Sequence, residues 1–396
     1  MSVYRNMRDP KVLKQYYSFR TINMIKDNEV TGASPPDVFV GRMGYPNVYI
    51  GPLVPPNMFE DTSVMGTPEN WVGKSIPEIV EYRSLLVRGM YRTKVNNAGN
   101  GRIEEQLQEL ALADKFANVD AKLKRPPSAA MHFDENSQPF GPSAPLADMA
   151  LGNTRANPQV EKAFFDTDLR ARDAIIELYR KGVFVSKIQK SLSAGLFGLG
   201  RNRKLVPTRW SITAVDDTLS KKNLETVKEL KPLDQIEVYY NVALDNRWAI
   251  LMVPGEWSYE SMEAWYPKTT WNMEGTDVEM GASYEPFEGR KTYAEIGGCY
   301  YAARLAVSEL LMKRQAQAKV VILREAHPGY IMPVGVWNVR EHVRETLRKE
   351  PAGFPDLNSA LGYISTRLDI PLKAWIRNGK LLKKLLYQKT LSASMQ

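Results

Sequence analysis

Cysteine is almost missing from this sequence: Cys299 stands alone among 396 residues. One thiol per chain excludes an internal disulfide framework and any zinc site built from cysteines. Histidine is nearly as scarce, and His132, His327 and His342 are too scattered for a histidine-rich metal site. No run approaches the ~18 apolar residues of a membrane-crossing helix. The opening Met1-Ser2-Val3-Tyr4-Arg5-Asn6 lacks the apolar core of a secretory signal. The glycines carry no P-loop lysine and serine behind them and no dinucleotide-binding spacing. No nucleophile–histidine–acid order is found. These absences predict an intracellular protein, cytoplasmic and free of membrane.

What is present is an ordinary globular composition, 43% hydrophobic and 25% charged. The length allows two or three closely joined units. Lys and Arg outnumber Asp and Glu by 53 to 45, a net charge of +8. That balance favours a polyanionic partner such as nucleic acid.

The coarse pattern is α+β: a mixed sheet with packed helices, and a C-terminal basic helix and tail. Val38–Val40 and Val48–Ile50, bounded by Gly and Pro, read as two short strands joined by a Gly-Tyr-Pro turn. Helical spacing runs through residues 67–90 and 102–123. Residues 124–157 read as a long irregular stretch and so as a candidate segment near a site. Residues 158–181 read as the clearest helix, with Pro158 in its first turn and Gly182 as its stop. A second helix over 185–192 follows, giving either a helix-turn-helix or an ordinary helical hairpin. Residues 236–253 read as a hairpin around Asp245-Asn246-Arg247, and Val320–Leu323 as a buried strand. The aromatic stretch 254–290 reads as core in preference to a stacking surface. Three parts result: 1–157, 158–370 and 371–396.

Charge concentrates in two places. Eight bases, from Arg180 to Arg209, pass without an acid, and no acid follows Asp369. The first run leads into Pro207–Ser220, which ends in Asp216-Asp217 and Thr218. These bases predict DNA contacts at Lys187, Lys190, Arg201, Arg203, Lys204 and Arg209, with Trp210 stacking on a base. The second predicts contacts at Lys380, Lys383 and Lys384. Asp216 and Asp217 would suit Mg²⁺, with Asp245 or Glu325 supplying a further ligand. The other reading of that pair is a strand running into a helix cap. His327, beside Arg324 and Glu325 after the buried strand, is the histidine best placed for acid–base work. Asp216, Asp217 and His327 are therefore the catalytic candidates.

Several longer blocks carry a family resemblance. They are Ser34-Pro35-Pro36, Val38-Phe39-Val40-Gly41, Tyr45-Pro46, Gly51-Pro52-Leu53, Asp61-Thr62-Ser63, Gly141-Pro142-Ser143, Leu178–Gly182 and Val206–Ser220. Together, across roughly residues 32–390, the chain resembles the archaeal Nre proteins of DNA repair. The resemblance implies a role in repair and a partnership with the replication sliding clamp, PCNA. Many members begin with a four-cysteine zinc element; with no cysteine before Cys299, no zinc is carried over. Members bind the clamp through a C-terminal Gln-x-x-aliphatic-x-x-aromatic-aromatic peptide. Here Gln388, Leu391 and Met395 match loosely, and Ser394 stands where an aromatic is expected, so weak clamp binding is predicted. The reading adopted is a nucleoid-associated DNA repair factor that binds DNA and acts with the clamp. A metal-dependent enzyme on nucleic acid or a nucleotide, and a non-catalytic clamp adaptor, are the alternatives. No cofactor is assigned beyond Mg²⁺ for the enzyme reading.

Overall fold

The structure, a computed structural model, describes residues 16–387 apart from 19, 26, 58–60, 128–130, 135–136 and 270. Two units divide the chain: residues 1–219 with 332–337, and residues 220–331 with 338–396. Each is built on one six-stranded mixed sheet, so the α+β expectation holds. No described helix is long and apolar enough to cross a membrane.

The first unit holds β1 (Glu29–Ser34), β2 (Val38–Val40), β3 (Asn47–Val54), β4 (Val87–Lys94), β5 (Ala117–Leu123) and β6 (Ser143–Leu151), in the order β1-β5-β6-β4-β3-β2. Only β4 and β6 run parallel. The expected pair β2 and β3 is antiparallel, with Val38 facing Pro52 and Val40 facing Ile50. The glycines here serve strand approach: a Cβ on Gly51 would lie 1.6 Å from the Gly89 carbonyl oxygen. Its longer described helices are α1 (Ile76–Ser84), α2 (Arg102–Leu112), α3 (Pro158–Phe165), α4 (Ala171–Arg180), α5 (Val185–Ser193) and most of α6 (Thr208–Val227). Ser75 and Glu78 form a reciprocal capping box that starts α1.

Several expectations about this unit are corrected. The helix read over 102–123 stops at Leu112. Residues 117–123 alternate buried and exposed along their whole length, which is strand periodicity. The irregular stretch 124–157 contains β6. The helix read over 158–181 breaks at 166–170, where the Asp166 side chain accepts from Asp168 N–H and Arg203 holds the Asp166 carbonyl. Eight of the nine α5 residues are buried, so α4 and α5 are a helical hairpin with no groove-entering face. Pro207–Ser220 is no strand. It enters α6 directly at Thr208, whose hydroxyl accepts from Val40 N–H at 2.9 Å and lies 3.1 Å from Ser193 Oγ. Ile212, Val215 and Leu219 then recur at helical spacing and are buried.

The second unit holds β7 (Ile236–Ala243), β8 (Asn246–Val253), β9 (Ser258–Trp265), β10 (Glu279–Glu285), β11 (Lys319–Ala326) and β12 (Ala352–Phe354), in the order β10-β9-β11-β8-β7-β12. Here β9 and β11 are the parallel pair. The hairpin turn is tighter than expected. Leu244 and Asp245, both at positive φ, are its two residues, and Asn246 already pairs with Ala243. Trp257, Tyr259 and Trp265 are buried, as the core reading had it.

The helices of the second unit are α7 (Gly298–Arg314), most of α8 (Trp337–Leu347), α9 (Leu357–Ser365), α10 (Leu372–Asn378) and α11 (Leu381–Tyr387). The C-terminal basic segment is therefore two short helices, parted at Gly379, where one was expected. The Glu260 carboxylate causes the restart by accepting the N–H groups of Lys380, Leu381 and Leu382. Trp375, Leu381 and Leu382 belong to one core with Met262, Val321 and Leu323.

Candidate nucleic-acid interface

At the start of α6, chain order alone places Arg209 and Trp210 one after the other. The Thr208 anchor to β2 turns Trp210 outward, 44% exposed. Its ring meets that of Tyr45, 5.1 Å away and tilted by 53°. Tyr45 is 52% exposed and sits in the β2–β3 loop beside exposed Arg42 and Met43. Two rings that touch and still face solvent offer flat apolar area for stacking. Arg209 lies alongside, its Nη1 3.7 Å from Asp134 Oδ2 in the long loop after β5. Tyr49 and Arg92 face each other across β3 and β4, and both are exposed. Exposed Lys94 follows on the same face of β4, opposite Asn47.

Beneath this surface lies an unusual arginine. Arg88 is only 8% exposed, yet among the described residues no acid is paired with it. Its guanidinium packs over Phe39 at 4.4 Å and Phe140 at 5.6 Å, and Nη2 donates to the Tyr49 carbonyl at 2.7 Å. Burial pulls its pKa down to about 9, so it keeps its charge at neutral pH. His132 stacks on Phe140 at 4.5 Å and meets Phe39 edge-on.

A second buried charge centre explains the Ser-Pro-Pro-Asp block. Asp37 Oδ2 receives Arg83 Nη1 at 2.9 Å and lies 3.3 Å from Lys190 Nζ. Burial alone would raise the Asp37 carboxyl; the two cations outweigh it and hold it below the usual carboxylate range. One acid cannot neutralise both bases, and burial pulls the Lys190 ammonium down. Arg83 also donates to the carbonyls of Pro139 and Met65, and Lys190 to that of Gly66.

The residues expected to touch DNA thus divide. Half-buried Arg209, paired with Asp134, and exposed Trp210 stand with Tyr45, which sequence reasoning passed over. Arg201 and Lys204 are exposed too. Arg203 instead ties the loop to α3, stacking over Phe164 at 5.2 Å and donating to the carbonyls of Gly198 and Asp166. Lys190 is enclosed, and Lys187 donates to the carbonyls of Ala111 and Ala113 at 2.6 and 2.5 Å. Neither presents its ammonium outward, because each answers a buried acceptor. Lys380 and Lys384 lie over the Tyr284 ring at 5.1 and 4.8 Å, and Lys383 donates to the Arg377 carbonyl at 2.7 Å. Gln388, Leu391 and Met395 fall outside the described residues.

The catalytic candidates fall in different units. Asp216 is fully buried in mid-helix and accepts from Gln189 Nε2 at 3.0 Å, while Asp217 is half-buried on the next position. Among the described residues no metal-ligating group includes either acid. Both belong to the first unit and His327 to the second. Arg324 is buried under Trp248 and Trp265, paired with Glu263 at 2.8 Å. His327 Nε2 lies 3.1 Å from Glu325 Oε2, and Nδ1 lies 3.9 Å from Asp369 Oδ2. Asp369 was missed, since the chain returns to it only after two further helices.

Comparison with known proteins agrees with the motif blocks. The family description "Archaeal Nre, N-terminal" matches residues 8–272, and "Archaeal Nre, C-terminal" matches 285–393. The chain is 42% identical to a DNA repair protein NreB of Archaeoglobus fulgidus, over 90% of each chain. It is 34% identical to a DNA repair protein NreA of the same organism, again over 90% of each. Identity to a DNA repair protein NreA of Haloferax volcanii is 35%, over 88% of this chain and 85% of the relative. No solved structure matches. With both halves matched and relatives well above 30% identity along nearly the whole chain, this protein belongs to the archaeal Nre family.

Proposed function

We propose that this chain is a DNA repair factor that engages DNA through the start of α6 and the β2–β3 loop. The observation that carries the reading is the exposed Tyr45–Trp210 ring pair beside Arg209. The repair role rests on the names of its three relatives. In this reading Trp210 and Tyr45 stack on an unpaired or displaced base, and Arg42, Arg92, Lys94 and Arg209 follow the phosphates. Base–aromatic stacking contributes about 1–3 kcal/mol per base. The clamp partnership rests on the resemblance alone, through Gln388, Leu391 and Met395.

Fluorescence anisotropy with labelled single-stranded and duplex DNA across a salt series tests the interface. Affinity should fall steeply with salt. Trp210→Ala should weaken binding by roughly tenfold, as loss of one stacked base implies, while the melting temperature stays within a few degrees. Binding that ignores salt, or that survives Tyr45→Ala with Trp210→Ala, would sink the reading. A clamp pull-down with and without residues 388–396 tests the second partner.

A further inference from the structure

We infer that Glu325, His327 and Asp369 form a binding site for one divalent transition-metal ion in the second unit. One donor atom from each of the three residues falls in a set whose members lie within 4.8 Å of one another. A tetrahedral or octahedral ion about 2.1 Å from its ligands needs neighbouring donors roughly 3–3.5 Å apart. The Glu325–His327 contact at 3.1 Å already meets that spacing. Asp369 approaches the other ring nitrogen, so its exposed side chain has to close by at most about 1.3 Å for one donor from each residue to reach that spacing.

The position is built by the fold. Glu325 and His327 are two apart at the end of β11, so alternation aims both at one side. The Glu325 carboxylate accepts the N–H of Asp369 at 3.1 Å and of Ile370 at 2.7 Å. That fixes the segment bearing Asp369 against the end of the strand. His327 N–H is held by the Asp245 carbonyl, and the Tyr266 ring stacks on the imidazole at 4.5 Å. Glu325 is fully buried, and among the described residues His327 is its one ion-pair partner. A buried carboxylate is stabilised by a positive charge beside it, which a cation would supply. Arg247 pairs with Asp369 on the outer side.

The donor set selects the class of ion. Two carboxylates and an imidazole suit Zn²⁺, Mn²⁺ or Co²⁺ better than Mg²⁺ or Ca²⁺, which take oxygen alone. Three protein ligands on a partly open site leave a position for water.

The test uses the full chain, stripped with chelator and desalted, then titrated with Co²⁺ and followed by its visible d–d absorbance. A competing Zn²⁺ titration is followed by calorimetry. We expect one ion per chain, a rise in melting temperature with Zn²⁺, and at least a tenfold loss of affinity in His327→Gln and in Asp369→Asn. Far-UV circular dichroism and metal-free melting confirm that both variants fold. Arg247→Gln removes no ligand and should keep binding. No uptake by the wild-type chain overturns the proposal. So does uptake that survives His327→Gln together with Asp369→Asn, since the ion then sits elsewhere.

Discussion

Helices α5 and α11 are both short, amphipathic and carry two lysines, but their lysines have opposite fates. Lys187 and Lys190 of α5 turn into the protein, whereas Lys383 and Lys384 of α11 lie along its surface. Acceptors decide the difference. Inside the first unit, Lys190 finds the Asp37 carboxylate and the Gly66 carbonyl. Lys187 finds Ala111 and Ala113 carbonyls, which the end of α2 leaves without helical partners. Under α11 the buried acid is Glu260, and backbone N–H groups already occupy it. Its lysines are left to Tyr284 and a surface carbonyl. A run of bases therefore marks a nucleic-acid face only after the buried acceptors have taken their share.

The sharpest way to break this comparison is to remove the acid that draws α5 inward. Asp37→Ala leaves Arg83 and Lys190 buried without it. Breaking a buried pair by deleting one partner usually destabilises by about 3–5 kcal/mol, a fall in melting temperature on the order of 10 °C. The sign with pH follows. The Asp37 carboxyl is held below its unfolded value, so its contribution is present above that value, ~3.9, and lost as pH falls through the folded one. A melting temperature unchanged in Asp37→Ala at pH 7 would mean that α5 is not held by charge.

A smaller effect sharpens the contrast. Burial pulls the Lys187 ammonium from 10.5 to about 7. Between those values the unfolded chain binds more protons, so stability gained through Lys187 rises with pH across that window. Melting curves of wild type and Lys187→Met should therefore draw apart in favour of wild type from pH 7 to 9, by at most about 1.4 kcal/mol per pH unit. Parallel curves would place Lys187 in solvent, like its counterparts on α11.

The same logic separates what was legible in the sequence from what was not. β2, β3 and β11 were legible because β-branched runs ended at Gly, Pro or charge. β5 was lost because Leu107, Leu110 and Leu112 set a helical period that the reading carried past Leu112. The start of α6 was misread because Thr-Arg-Trp-Ser-Ile-Thr suits a strand locally; the Thr208 tie to Val40 decides for helix, and that tie is tertiary. The unit division inside α6 has no glycine or proline to announce it. Of the surface, Trp210 and Arg209 were legible as residue types, whereas Tyr45 becomes their neighbour only through the β2–β3 loop. Glu325 and His327 were legible as neighbours at the end of a buried strand, and Asp369 was not, because only folding brings it back.

The smallest expected effect bears on how far any DNA interface extends. Lys384 Nζ lies 3.1 Å from the Tyr284 hydroxyl and over its ring. Such an exposed cation–π contact contributes roughly 0.5–1 kcal/mol. Lys383→Ala and Lys384→Ala should each cost less than about 1 kcal/mol of stability. Their worth lies in the salt dependence of DNA binding, since each lysine–phosphate contact adds about 0.9 to the slope of log affinity against log salt. A slope reduced by nearly two in the double variant, at unchanged stability, extends the interface to α11. A slope unchanged there but reduced in Arg209→Ala confines it to the first unit. Charge left free by folding would then still not be charge used for binding, and the basic C-terminal stretch would be a solvated face of the second core.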